Sequence, residues 1–243
     1  CSLKAAFYTA IEDDCIRKNP FNFALDTVIE DDRERKAALT PKQEESLLAF
    51  MEQDAVYKKY RDEVIILLGT GLRISEFCGL TTALDFKNRQ INVDHQLLRD
   101  TDIGYYVETP KTKKGIRQIP MSEEVYQALR RVLKNRSNAA PFSIEGYKNF
   151  LFLKNDGMPK VAANYESMLK GLVKKYNKQN KEQLPNITPH ILRHTFCTRL
   201  ANAGMNPKAL QYIMGHANIT MTLNYYAHAT YDSAKAEMER LAA

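Results

Sequence analysis

Three of the segments that pair a helix-capping residue with a proline predict where helices begin. They are Thr40-Pro41, Thr188-Pro189 and Asn206-Pro207. The first residue can accept a backbone hydrogen bond, and proline at the first helical position gives up no hydrogen bond there. Ser122, followed by two glutamates, predicts one more helix start. The chain is therefore expected to be mainly helical.

Between two of these helices the sequence takes on the pattern of strands. RQINVDHQ (89–96) and GYYVETPKTKKGIRQIPM (104–121) contain short runs of β-branched and aromatic residues, and Lys114-Gly115 marks a turn between two strands. The expected fold class is mainly α with a small antiparallel β-sheet, an α+β architecture.

The front and the end of the chain differ from the middle. Residues 2–23 read as one amphipathic helix that stops at Asn19-Pro20, and the polar run EDDRERKA (30–37) follows. We interpret residues 1–35 as the end of an upstream domain with its linker, and residues 36–243 as the main domain. The last segment, YDSAKAEMERLAA (231–243), is predicted to be an amphipathic helical tail.

Composition limits the class of protein. A net charge of +6 and a pI near 9.0 favour a polyanionic partner where the charge is clustered, as in PKTKKGIR (110–117) and KGLVKKYNKQNK (170–181). The sequence has no apolar run of about 18 residues, so no membrane span is expected. Its 4 cysteines are widely spaced and predict neither a zinc framework nor a disulfide scaffold, which favours a reducing cytoplasm.

The segment TPHILRHTFCTRL (188–200) gathers two histidines and two arginines. With Thr188 as the N-cap, His190 and Arg193 share one helix face near the positive end, where a phosphate can bind. Two other interpretations stay open from these residues alone. His190 could be an ordinary exposed residue with Arg193 in a salt bridge. His190 and His194 could bind a metal, although the zincin pattern requires a glutamate directly after the first histidine.

Further candidates lie at three other places. GTGLRISE (69–76) sets Arg73 after a glycine break, with Glu76 three residues on, where an ion pair can orient the arginine. PKTKKGIR carries Lys111 at the end of a strand. MGHANITMTLNYYAH (214–228) places His216 after a helix-ending glycine, with two adjacent tyrosines nine and ten residues later.

In this order, the four segments resemble the catalytic domain of the tyrosine recombinase, or phage integrase, family, and in particular the integrases of conjugative transposons. The segments are GLRISE, PKTKKGIRQIP, PHILRHTF, and MGH followed by NYYAH. The resemblance implies a site-specific DNA recombinase that cleaves and rejoins strands through a 3′-phosphotyrosyl intermediate, without a cofactor or a metal. It also implies that residues 1–35 end a core-binding domain with its linker, and that residues 36–243 form the catalytic domain with its tail.

The resemblance assigns phosphate chemistry to most of these candidates. Arg73 and Arg193 would bracket the non-bridging oxygens of the scissile phosphate and stabilise the extra charge of its transition state. His190 and His216 would donate hydrogen bonds to the same phosphate, and His190 would also suit proton transfer. Glu76 would orient Arg73 and could also orient His190.

Lys111 would protonate the departing 5′ oxygen as a general acid. On a helix, Tyr225 and Tyr226 would point about 100° apart, so only one could attack the phosphate. A spacing of nine residues from His216 would select Tyr225, whereas the transposon-like ending YAH aligns Tyr226, which we expect to be the nucleophile. The residues expected to contact DNA phosphates, with ordinary solvated positions as the alternative, are Lys113, Lys114 and Arg117.

The implied partner is double-stranded DNA, bound by a homo-oligomer of two to four subunits that could exchange their C-terminal helices. Accessory DNA-bending proteins would be compatible with this activity, and no membrane partner is expected. Two other functions remain open: a non-catalytic DNA-binding module with the same fold, and a metal-dependent nuclease. No cluster of carboxylates in the sequence supports the nuclease.

Overall fold

The computed structural model describes residues 2–23, 37–110, 115–136, 142–226 and Met238. The chain divides into two compact units, Cys1–Lys36 and Ala37–Ala243. The first unit contains α1 (Ser2–Glu12), whose Phe7 ring packs against Phe21 with the ring centroids 5.0 Å apart. Asn19 closes the following turn by donating a 2.9 Å hydrogen bond to the Lys4 carbonyl.

The second unit combines helices with short antiparallel strands. Its elements in chain order are α2 (Pro41–Gln53), a 3-10 turn (Lys58–Tyr60), α3 (Arg61–Thr70), α4 (Ile74–Gly79), β1 (Gln90–Val93), β2 (Gln96–Asp100), β3 (Gly104–Glu108), β4 (Arg117–Pro120), α5 (Glu123–Asn135), α6 (Ala162–Gln179), α7 (Pro189–Asn202), α8 (Pro207–Met214) and α9 (Thr220–Leu223). The predicted fold class, mainly α with a small amount of antiparallel sheet, is confirmed. In the described part of the chain, no helix is both long and apolar enough to cross a membrane.

The predicted helix caps form. The Thr40 side chain accepts from the Gln43 backbone N–H, and the Gln43 side chain accepts from the Thr40 N–H in return, which completes a capping box at the start of α2. Ser122, Thr188 and Asn206 likewise accept hydrogen bonds from backbone N–H groups in the first turns of α5, α7 and α8. These local signals place the helices on which the candidate site residues lie.

The strands pair differently from the expectation. β1 pairs with β4, and β2 pairs with β3 in a separate two-stranded ladder. The strands that flank residues 111–114, β3 and β4, therefore belong to different ladders. The reason is a tight turn at 101–103, where Asp100 accepts from the Asp102 N–H and Gly104 has a φ of 84°, so that β3 folds back on β2. Lys114, on which the predicted turn falls, lies outside the described residues.

The core is organised around α3, which packs against α5 and α7 and is buried over residues 63–68. One charged side chain, Glu63, lies within this buried stretch with 7% of its surface exposed. Its carboxylate accepts a 2.6 Å hydrogen bond from Lys160 Nζ and another of 2.6 Å from the Tyr165 hydroxyl. The buried charge is thus paired and hydrogen-bonded, as a charge in a protein interior must be.

Replacing Glu63 with alanine is expected to lower the free energy of unfolding by about 3 kcal/mol, because Lys160 and Tyr165 lose the acceptor that compensates their burial. Urea unfolding at neutral pH measures the change. Glu45→Ala, at an exposed position of α2, is the matched control and should change stability by less than about 0.5 kcal/mol. Equally small effects for both variants would contradict the role assigned to Glu63.

Candidate active site

Carbonyl groups at the ends of two helices hold the candidate arginines, and each of these helices ends at a glycine. Gly71 ends α3 and Gly215 ends α8, each in the left-handed conformation with a φ of 61°. Arg193 donates from Nη1 to the Gly71 carbonyl and from Nη2 to the Met214 carbonyl. Arg73 donates from Nη2 to the Gly215 carbonyl over 2.9 Å. Carbonyls left unpaired at helix ends therefore fix both arginines.

The Glu76 carboxylate joins Arg73 to a further arginine, Arg117. Its Oε1 accepts from Arg73 Nη1 over 2.7 Å and from Arg117 Nη1 over 3.0 Å. Its Oε2 accepts from Arg117 Nη2 over 2.9 Å and from the Arg73 backbone N–H over 2.8 Å. Burial acts to raise the pKa of Glu76, but its interactions with Arg117 and Arg73 outweigh burial and lower this pKa. Glu76 is therefore ionised at neutral pH.

We call Arg73, Glu76, Arg117 and Arg193 the arginine cluster. Arg193 is buried, and its burial, together with the charges of Arg73 and Arg117, lowers its pKa to about 10. It still carries its proton at neutral pH. Two guanidinium groups therefore bind the Glu76 carboxylate, and a third lies close to it. Arg73 is the accessible member, with 39% of its side chain exposed. The cluster thus presents an excess of positive charge to solvent, which suits an anion such as a phosphate.

Arg117 lies in the interior and not on the surface where the sequence suggested a DNA contact. It is 3% exposed and donates from Nε to the Ile213 carbonyl over 2.6 Å and from Nη1 to the Gly115 carbonyl over 3.0 Å. Its donors are thus used inside the protein and not on the solvent side, where the phosphate contact was expected. Strand alternation was a sequence signal for this burial. Arg117 lies two residues before Ile119 in β4, so the two side chains share the face that points to the core.

His216 lies directly beside the cluster. It is 5% exposed, and its Nδ1 lies 3.0 Å from the Thr222 hydroxyl oxygen. Burial is the largest influence on its pKa, and the charges of Arg193 and Arg73 act in the same direction, so the pKa of His216 is lowered to about 4. At neutral pH the imidazole is uncharged, with one ring nitrogen able to donate a hydrogen bond and the other able to accept one.

His190 is exposed in the first turn of α7, and His194 lies one turn further along the helix. Burial, followed by the charge of His190, lowers the pKa of His194. The His194 ring packs against Tyr225 with the centroids 4.9 Å apart. Within the described ranges, no group of three or more His, Cys, Asp or Glu side chains could hold a metal ion.

The two tyrosines occupy a turn and not a helix, because α9 ends at Leu223. The Tyr225 ring stacks near His216, with the centroids 6.4 Å apart and the planes 15° apart. The Tyr226 hydroxyl donates to the Met205 carbonyl instead. Burial raises the pKa of both phenols, and the charge of Arg193 only partly opposes this at Tyr225. The structure thus brings Tyr225 to the histidines and holds the hydroxyl of Tyr226 elsewhere.

Three predicted site residues, Lys111, Lys113 and Lys114, lie outside the described residues. The residues on either side of their segment are close together, since a Cβ placed on Gly115 would lie 2.2 Å from Pro110 Cβ. The carbonyl of Gly115 also accepts from Arg117. The two residues that flank residues 111–114, Pro110 and Gly115, therefore lie beside the arginine cluster.

The low pKa of His216 predicts a pH-dependent stability. Between pH 6.5 and about pH 4 an unfolded histidine binds a proton that the folded protein does not bind, so stability falls as the pH drops through this window. Across this window, His216 lowers the free energy of unfolding by about 3 kcal/mol. Urea unfolding at several pH values should show a steeper loss for the wild type than for His216→Gln. Parallel curves for the two proteins would contradict the assigned pKa.

Comparison with known proteins agrees with the geometry. The transposase from transposon Tn916 of Enterococcus faecalis is 68% identical over 241 residues, which cover 99% of this chain and 60% of that protein. Tyrosine recombinase XerA of Pyrococcus horikoshii is 32% identical over 202 residues, which cover 80% of this chain and 62% of that protein. A structure of a variant Tn1549 transposon integrase with transposon right end DNA has a TM-score of 0.92 and 68% identity, covering 100% of this chain and 77% of that chain.

The chain spans about 60% of the length of the curated relatives it matches. Residues 37–233 match the phage integrase family, and all four sequence segments that resemble this family lie within that range. The chain therefore belongs to the phage integrase family, the family of the tyrosine recombinases.

Proposed function

We propose that this chain carries the catalytic part of a site-specific DNA recombinase, an integrase that cleaves and rejoins DNA strands to move a transposon-like element. The arginine cluster is the observation that carries the proposal, because it presents unbalanced positive charge beside His216 and Tyr225. The name of the Enterococcus faecalis relative, a transposase, and the transposon DNA in the structure of the Tn1549 integrase support the same activity.

In the proposed reaction, the cluster stabilises charge on the scissile phosphate. Arg73, which is the accessible arginine, binds one non-bridging oxygen, and Arg193 lies behind it in the same site. An attack on phosphorus places additional negative charge on these oxygens, so donors fixed in advance act mainly on the transition state. Neutral His216 adds a hydrogen bond, and His190, which is exposed in the first turn of α7, completes the donor set.

The covalent step exchanges one phosphodiester for another. The tyrosine oxygen loses its proton and attacks phosphorus, with His190 as the proposed proton acceptor. The bond from phosphorus to the 5′ oxygen breaks, and Lys111 gives that oxygen a proton. Rejoining reverses these steps, with a 5′ hydroxyl as the attacking group and the tyrosine as the leaving group. Because the phosphotyrosyl link retains the energy of the broken phosphodiester bond, the reaction needs no cofactor.

We propose Tyr226 as the nucleophile, with Tyr225 as the alternative. The ten-residue spacing from His216 supports Tyr226, as does the resemblance to transposon integrases. The contact between Tyr225 and His216 supports the alternative. For Tyr226 to attack, its hydroxyl must leave the Met205 carbonyl. The turn at residues 224–226 lies outside α9, so this movement does not require a helix to unfold.

We propose double-stranded DNA as the substrate and a homo-oligomer of two to four subunits as the working form. Two observations support an exchange of the tail at 231–243 between subunits. The tail has an amphipathic pattern, and its apolar Met238 is 70% exposed. We also propose that residues 1–35 end a core-binding domain with its linker, and that residues 36–243 are the catalytic domain. Accessory DNA-bending proteins and a cytoplasmic location stay predictions.

Tyr226→Phe is expected to abolish the covalent protein–DNA adduct, because phenylalanine lacks the attacking oxygen, while Tyr225→Phe should still form it. The measurement traps the adduct on a nicked suicide site built from candidate transposon ends, followed by denaturing gel electrophoresis. An adduct that survives Tyr226→Phe but not Tyr225→Phe would reverse the assignment.

The same assay separates the other functions. Adducts should form equally well in excess chelator, whereas cleavage that depends on a divalent metal and leaves no adduct would indicate a nuclease. Specific DNA binding without any adduct from the wild-type chain would indicate a non-catalytic module. An adduct from the double variant Tyr225→Phe/Tyr226→Phe would show that neither tyrosine is the nucleophile.

A further inference from the structure

We propose that Arg117 is a positioning residue for this reaction, which orients Arg73 for phosphate binding without touching the phosphate itself. The inference rests on the proposed function, because it concerns how the phosphate-binding arginine is held. Arg117 lies in β4, and its side chain is fully buried. It therefore acts through the groups that it contacts inside the protein.

Arg73 is oriented by two hydrogen bonds, and Arg117 supports the acceptor of each. The first acceptor is Glu76, whose two oxygens both receive hydrogen bonds from Arg117, over 3.0 and 2.9 Å. This two-point contact fixes the plane of the carboxylate as well as its position. Without it, the carboxylate keeps only its contacts with Arg73 itself, from the backbone N–H and Nη1, and can shift together with the Arg73 guanidinium.

The second acceptor of Arg73 is the carbonyl of Gly215. The backbone of Gly215 passes directly against the Arg117 guanidinium, since a Cβ at this glycine would lie 2.9 Å from Arg117 Nη1 and 3.0 Å from its central carbon. Arg117 also donates from Nε to the Ile213 carbonyl, two residues earlier. The end of α8 and Gly215, which precedes His216, thus pack against the Arg117 side chain.

Arg117 also connects the cluster to the segment that carries Lys111. Its Nη1 donates to the Gly115 carbonyl over 3.0 Å, immediately after residues 111–114. The Arg117 side chain therefore contacts Glu76, 41 residues earlier, and Ile213, 96 residues later. It also contacts Gly115, two residues earlier. Only a planar guanidinium with several fixed donors can make these contacts together, so lysine is not an equivalent replacement.

A merely structural role would lower stability and leave the chemical step of the folded protein unchanged. The test therefore measures three quantities for Arg117→Met and Arg117→Lys: thermal unfolding, affinity for uncleaved site DNA, and the single-turnover rate of adduct formation at saturating DNA below the unfolding temperature. Arg131→Met is the matched control, because Arg131 pairs with Asp62 at the surface between α5 and α3.

Arg117→Met is expected to slow adduct formation about 100-fold, as a small displacement of Arg73 would, while DNA affinity stays close to that of the wild type. Arg117→Lys should keep the charge and lose rate to an intermediate degree, and Arg131→Met should keep the wild-type rate. If Arg117→Met is unfolded at the assay temperature, the lysine variant decides the question: a wild-type rate would overturn the inference, and a reduced rate at normal affinity would support it.

A double-mutant cycle with Glu76→Gln separates positioning from independent effects. Because Arg117 acts through Glu76, the double variant should lose less rate than the product of the two single losses. Independent, multiplying losses would overturn the inference, as would a loss of DNA affinity that accounts for the whole effect. Absence of any adduct from the wild type would instead overturn the proposed function, so the two failures are distinguishable.

Discussion

The arrangement of the site depends on one buried carboxylate, Glu76, shared between two arginines and close to a third. Three guanidinium groups this close would repel one another strongly in a poorly solvated environment. The single carboxylate offsets part of this repulsion, so the cluster can form in the folded protein. The cluster nevertheless keeps a net positive charge. The remaining imbalance is what a phosphate can relieve. The same electrostatics therefore explain why the cluster tolerates burial and why it suits a phosphate.

The helix ends do the rest of the positioning. A helix leaves its last carbonyls unpaired, and at the ends of α3 and α8 the carbonyls of Gly71, Met214 and Gly215 become acceptors for Arg73 and Arg193. Left-handed glycines let the chain turn away at once. A side chain at Gly71 would meet Phe196, and one at Gly215 would meet Arg117. Helix termination and arginine placement are therefore one structural feature.

Sequence reasoning succeeded where the determining interactions are local. The caps at Thr40, Ser122, Thr188 and Asn206 bond to residues within one turn, and the order of the motif segments gave the family. It failed where distant parts of the chain meet. The burial of Arg117 depends on Glu76, 41 residues earlier, and on Ile213, 96 residues later. Packing likewise determines how the strands pair and why α9 ends before the tyrosines. Residue spacing in the sequence does not predict either feature.

Whether the arginine cluster acts by stabilising negative charge can be measured with a methylphosphonate suicide site, in which a methyl group replaces one charged oxygen of the scissile phosphate. On ordinary DNA, Arg193→Ala should slow adduct formation by about 100- to 1,000-fold, the usual cost of losing a transition-state donor. On the uncharged methylphosphonate the same variant should lose little relative to the wild type. Equal losses on both substrates would contradict the account, because the arginine would then act by something other than charge.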